Sequence, residues 1–260
     1  MPIRLSEPSH KSLFVQVIAT GGAEISTATA FVAQVANCTP FLVTNRHVVT
    51  GRNQDTDALL DKRYASIPAQ LRVWFSSSTG LGYWEQVELP LYDGDGQQRW
   101  IEHPARGSQI DLVAIPLPTD RGDLRFDPYE ALPFQDNKIE PAQMVSVVGF
   151  PFGVRSGGAF AVWATGFVAT EPEIDHDGRP VFLIDCRTRH GQSGSPVILH
   201  HGYHAKNANS IGFRASSELL GIYSGRINEE SDIGTVWKSS VIAELLQYAS
   251  FLPLQLARSA

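Results

Sequence analysis

Apolar and polar positions in this 260-residue chain alternate in short runs cut by turn residues, and only near the end do they repeat at helical spacing. Residues 13–18 read as a strand, and Gly21-Gly22 turns the chain into a second strand over 26–35. Asn37-Cys38-Thr39-Pro40 is a hairpin turn, with 41–44 as the returning strand. That apolar run passes into a short helical turn containing His47 and ended by Gly51. Residues 52–66 are polar, a surface excursion with room for a short helix. Strands resume at 71–75, 83–91 and 99–102, with Gly94-Asp95-Gly96 as a tight turn, and at 111–117, where Asp111 heads an apolar run. Further strand patterns lie at 144–150, 159–169, 181–185, from Val197 onward, 218–225 and 233–237, and Asp175-His176-Asp177-Gly178 is a hairpin tip. Residues 200–217 read as an irregular polar loop. Apolar residues recur at helical spacing over 240–248, behind a serine cap, which predicts one helix. Many short strands and one late helix predict an all-β barrel or sandwich.

A hydrophobic content of 43% is enough for one large core or two small ones. Net charge is -6 with no block of like charges, which argues against nucleic-acid and anionic-membrane partners. No run approaches the roughly 20 apolar residues of a membrane helix. Residues 1–12 carry Arg4, Glu7 and Lys11 and lack the apolar core of a leader, so a cytoplasmic location is expected. The two cysteines, Cys38 and Cys186, rule out a disulfide framework; the sequence leaves a single bridge open, but two free thiols are expected, neither set as a nucleophile.

Gly191-Gln192-Ser193-Gly194-Ser195-Pro196 places a serine between two glycines just before an apolar run. A serine hydroxyl attacks a carbonyl only when a histidine takes its proton, a carboxylate orients that histidine, and N–H groups receive the oxyanion. Gly191 lets the turn bend so that its own N–H and that of Ser193 share one anion hole. Each part has a plain alternative: a Gly/Ser/Pro turn between strands, a histidine holding a turn, and an Asp111 capping a loop in water.

Taken together, these stretches resemble the trypsin-like serine peptidases, in particular the disulfide-free bacterial branch that includes the glutamyl endopeptidases and the high-temperature-requirement protease domains. Thr44-Asn45-Arg46-His47-Val48-Val49 resembles the histidine motif, Asp111-Leu112-Val113-Ala114-Ile115 the aspartate motif, and residues 191–196 the serine motif. Residues 147–153 and 221–225 resemble two further family stretches, the second being the strand along which substrate lies. The order His, Asp, Ser differs from the Ser, acid, His order of the α/β-hydrolases. The resemblance implies two packed six-stranded antiparallel β-barrels with a C-terminal helix. It divides the chain into 1–118 carrying His47 and Asp111, a linker over 119–141, and 142–260 carrying Ser193. It implies a serine endopeptidase acting through an acyl-enzyme on polypeptides, without cofactor or metal. Ser193 is then nucleophile, His47 base, Asp111 orienting acid, and Gly191 and Ser193 the oxyanion donors.

The chain departs from the digestive members in having Gln192 before the nucleophile and no activation sequence near its start, and no further domain is expected after Tyr248. The resemblance places Arg187, Thr188, His190, Tyr223, Ser224, Gly225 and Arg226 at the substrate, with Ser224 supporting Asp111 or the substrate strand. The arginines either favour Asp or Glu before the scissile bond, or face solvent and pair with Asp185 or Glu229; the sequence leaves both open. Tyr223 stands where glutamyl-specific members carry histidine. A partner-activated or silent binding module would keep the same triad, and a non-peptidase acyl hydrolase is a third reading. His200-His201-Gly202-Tyr203-His204 lacks a matching carboxylate or cysteine pair and reads as a polar loop, not a metal site.

Overall fold

The computed structural model describes residues 5–62, 64–132, 139–202, 216–228 and 230–252. The chain begins with α1 (Glu7–Lys11), a single turn led by a proline, followed by β1 (Ser12–Ala19), β2 (Glu24–Gln34) and β3 (Phe41–Thr44). After α2 (Arg46–Thr50) come β4 (Pro68–Ser77), β5 (Trp84–Pro90), β6 (Val113–Pro116) and two short strands, β7 (Leu124–Arg125) and β8 (Tyr129–Glu130). These form one curled sheet in the order β5-β4-β1-β2-β3-β6, with β7 added to β4 and β8 to β2.

The second half contains β9 (Met144–Gly149), β10 (Val162–Val168), β11 (Val181–Asp185), β12 (Pro196–His201), β13 (Ser216–Arg226) and β14 (Ile233–Lys238). They close into a barrel in the order β10-β11-β14-β13-β12-β9. The helix α3 (Ser239–Phe251) follows and buries Val241, Ile242, Leu245 and Leu246.

Period-2 alternation on these strands serves two cores at once. Val15 and Val17 of β1, Ala30 and Val32 of β2, and Leu42 of β3 point into the first sheet. Their neighbours Phe14, Phe31, Phe41 and Val43 point out of it, into a core shared with Val148, Phe150, Ile198, Trp237 and α3. In the second half Val145, Val147, Phe182 and Ile184 fill the barrel itself. The strands read as apolar on both faces because the two halves pack on one another.

Four expectations change. The first sheet is a half-barrel and not a closed one: residues 99–102 give only a bridge, Ile101 to Ala114 of β6, with Arg99 N–H donating to Leu91 at 2.9 Å. Pro104 has no donor to extend it, and the chain turns there, Gly107 N–H meeting His103 O at 2.8 Å. The described part of 52–66 holds turns and the Arg52–Leu59 bridge in place of a helix. The ends of the supposed 200–217 loop are ladder, His200 opposite Ser217 and His201 opposite Ser216; Tyr203 and His204 lie outside the described residues. The α3 helix starts at Ser239 with Lys238 in the cap position and no side-chain cap bond, so serine does not cap it.

Among the described residues no helix is long and apolar enough to cross a membrane, and no group of three metal-ligating side chains occurs. Cys38 and Cys186 are both free.

Candidate active site

The second residue of α2 is His47, and a helix leaves its first N–H groups without partners. Here the partner comes from across the sheet. β3 pairs with β6 so that Thr44 lies opposite Val113, which sets Asp111 beside the start of α2. One carboxylate oxygen of Asp111, Oδ1, accepts the His47 backbone N–H at 2.9 Å, and the other, Oδ2, meets His47 Nδ1 at 2.7 Å. Asn45 Nδ2 donates to the Asp111 carbonyl at 2.7 Å, and the Ser224 hydroxyl donates to Oδ2. Asp111 is fully buried, and three donors hold its charge. Contact at Nδ1 assigns the proton there and leaves the Nε2 lone pair open. Burial of the ring works against its charged form, but the charge and hydrogen bond of Asp111 outweigh it and raise the His47 pKa above 6.5.

Ser193 sits in the turn between β11 and β12, which is fastened to the first half through Thr29. Thr29 N–H donates to the Ser193 carbonyl at 2.9 Å, and its hydroxyl donates to the Gly191 carbonyl at 2.9 Å. The same hydroxyl accepts from Phe150 N–H at 3.3 Å, and the Thr29 carbonyl accepts from Thr44 Oγ1 at 2.8 Å. Sequence reasoning passed over Thr29, because a threonine in an alternating strand is an ordinary strand former.

Two peptide units of the turn are oriented by their carbonyls. The His190 carbonyl accepts Phe152 N–H at 2.6 Å, and the Gln192 carbonyl accepts Ser195 N–H at 3.0 Å. In a planar trans peptide the N–H points opposite to the carbonyl. The N–H groups of Gly191 and Ser193 therefore face away from these anchors, and neither has a protein acceptor among the described residues. Gly191 has φ +91°, and a Cβ there would lie 2.3 Å from the Phe150 carbonyl, so no other residue fits without moving backbone. Gln192 is buried with Oε1 accepting Arg189 N–H at 2.8 Å; it braces the turn from inside.

His47, Gly191 and Ser193 line one cavity of about 680 Å³. The Ser193 hydroxyl donates to the Ser224 carbonyl at 3.2 Å and not to the imidazole. Ser224 thus touches Asp111 through its hydroxyl and Ser193 through its carbonyl.

Of the remaining expected substrate residues, His190, Ser224, Gly225 and Arg226 line a second cavity of about 320 Å³ that also includes His47 and Asp111. Thr188 and Tyr223 are buried and joined hydroxyl to hydroxyl. The partner of Arg187, and of its neighbour Arg189, is Asp232, not Asp185. Arg189 reaches it at 3.1 Å, and Arg187, whose side chain is 81% exposed, at 3.7 Å. Glu229 lies outside the described residues.

A family model described as a trypsin-like peptidase domain matches residues 28–204. A search of curated proteins gives no match. Among solved structures, the active form of the Rv3671c protease from M. tuberculosis is similar with a TM-score of 0.50 and 16% identity, over 97% of this chain and 87% of its own. The serine endoprotease from Yersinia pestis is similar with a TM-score of 0.52 and 14% identity, over 96% of this chain and 64% of its own. At such identities the likeness speaks for the fold.

Proposed function

Since the chain belongs to the trypsin-like peptidase family and is a serine endopeptidase acting on polypeptides, we propose that His47, Asp111 and Ser193 are its catalytic triad. Ser193 Oγ attacks the peptide carbonyl while His47 Nε2 takes its proton. His47 then passes that proton to the leaving amine, and water hydrolyses the acyl-enzyme by the same path in reverse. Asp111 fixes the tautomer and stabilises the imidazolium. The Gly191 and Ser193 N–H groups receive the oxyanion, each worth on the order of 100-fold or more. In this reading 1–118 carries base and acid, 119–141 connects, and 142–260 carries the nucleophile.

The observation that carries the reading is the clamp on His47: two bonds to one buried carboxylate, at the wall of the cavity that also holds Ser193. Attack requires the Ser193 hydroxyl to leave the Ser224 carbonyl and turn to His47, a side-chain rotation on the ps–ns scale. Its present bond to Ser224 is what favours the second reading, a domain held silent until a partner turns the serine.

A preference for Asp or Glu before the scissile bond rests on Arg226 and His190, which line the cleft; Tyr223, standing where glutamyl-specific members carry histidine, counts against it. Arg187 and Arg189 add little to it, because both meet Asp232. Cleavage of a peptide library after Arg or large apolar residues would remove that preference from the reading.

Treatment with a fluorophosphonate followed by intact-mass measurement tests the site. One adduct on Ser193, absent in Ser193→Ala and His47→Ala, is expected. No adduct on the wild-type chain supports the silent-domain reading.

A further inference from the structure

We infer that Arg155 is a positioning residue for the oxyanion site: its guanidinium, laid on the rings of Phe14 and Trp74, pins the strained turn that orients the Gly191 N–H. This rests on the triad reading above and adds to it a residue that lies outside the three motifs. The turn spans residues 151–153 and packs directly on Gly191, where a Cβ would lie 3.3 Å from the Gly153 nitrogen. Phe152 N–H donates to the His190 carbonyl at 2.6 Å, and that bond fixes the plane of the peptide whose N–H enters the hole. Phe152 makes it from a left-handed conformation, φ 54° and ψ 25°, beside Gly153 at φ +71°. A glycine holds such angles freely, a phenylalanine only where neighbouring structure enforces them. Its own side chain does not enforce them, being 66% exposed.

The constraint comes from three residues further on. Arg155 Cζ lies 4.5 Å from the ring centres of both Phe14 and Trp74. These rings stand opposite one another on β1 and β4, with centroids 6.2 Å apart, and Gln16 Oε1 accepts the Trp74 indole N–H at 3.2 Å. Among the described residues the guanidinium has no hydrogen bond or ion pair, so its attraction to the two rings is what holds it. Phe14 also meets Phe150, the residue leading into the turn, with centroids 5.2 Å apart. One side chain of the first sheet thus grips the chain on both sides of the turn. Without the cation the turn relaxes toward right-handed angles, Phe152 N–H leaves the His190 carbonyl, and the Gly191 peptide loses its orientation. The change stays local, because the next hairpin, Ser156 bridged to Phe160, is seated through Phe160 on Trp84.

Acylation by p-nitrophenyl acetate reads the hole alone, since the acetyl group carries no side chain to recognise. Ser193 Oγ bonds to the acetyl carbon, its proton passes to His47, and p-nitrophenolate leaves. Neither Phe152 nor Arg155 lines the two cavities at His47, so variants there leave the ester's seat untouched. The acylation rate constant should fall by about tenfold in Arg155→Ala and in Arg155→Met, less than the roughly 100-fold of a lost donor, with the apparent affinity for the ester unchanged. Arg155→Lys keeps a cation over the rings and should stay within about threefold of the wild type. Asparagine takes left-handed angles more readily than phenylalanine, so adding Phe152→Asn to Arg155→Ala should restore most of the rate. An unchanged rate in Arg155→Ala overturns the inference, as does a loss that lysine does not prevent or that Phe152→Asn does not restore; the peptidase reading then stands. No acylation of the wild-type enzyme overturns the triad reading and this one with it.

Discussion

The Thr29 hydroxyl serves the Gly191 carbonyl and the Phe150 N–H together, inside a fully buried setting. Thr29→Val keeps the shape and removes the hydroxyl, leaving two buried polar groups unpaired. A loss of about 1–3 kcal/mol is expected in denaturant unfolding, accompanied by a drop in kcat as the serine turn loosens. A change in stability with unchanged kcat would show that Thr29 braces the fold and not the turn. The raised pKa of His47 sets the pH response. In the proposed triad the base must be neutral, so kcat/KM should fall as pH drops through a value above 6.5. Asp111→Asn removes the charge that raises it, so the acid limb should move down in pH, with kcat reduced by about 10⁴-fold as in the trypsin template. Stability runs the other way. A pKa raised on folding contributes stability that is full below the unfolded value and is lost as pH rises through the folded one, so this term weakens toward the pH at which the enzyme works.

The strand pattern was legible because alternation and Gly, Pro and Asn turns are local signals. The strand β3, the Gly51-ended α2 and the Asp177-Gly178 hairpin all appear as read. The open seam of the first sheet was not legible, because closure depends on pairing between segments far apart in sequence. The one-turn helix α1 is too short to leave a periodic trace. At the site, three ordered motifs marked His47, Asp111 and Ser193. The bracing by Thr29 and the pairing of Arg187 and Arg189 with Asp232 are long-range contacts of common residue types and leave no local mark. The late helix α3 was legible in outline, but its role was not: Leu245 and Leu246 are fully buried in the core between the halves, and Glu244 meets the buried His103 of the first half at 3.1 Å. Leu246→Ala should therefore cost about 2–5 kcal/mol, read as a lowered denaturation midpoint, which is more than a helix lying on the surface would lose.

Each half also reaches into the other near the ends of the described chain. Ser9 accepts Ala161 N–H and Trp163 Nε1–H at 2.9 Å each, and Ser12 Oγ donates to Val148 at 2.8 Å. With α3 against the first sheet and a shared core between, the halves should melt together. Calorimetry is expected to give one transition whose calorimetric and van't Hoff enthalpies agree; two resolved transitions would show that the halves hold independently. The placement of α3 also bears on how the enzyme is made. A ribosome adds about 5–20 residues per second, and early parts of a chain fold while later parts are still being joined. Here His47 and Asp111 emerge long before Ser193, and the strand carrying Ser224, then the helix that completes the shared core, come later still. In the proposed triad the base and acid are joined before the nucleophile, so a chain made only as far as the first sheet holds an incomplete site.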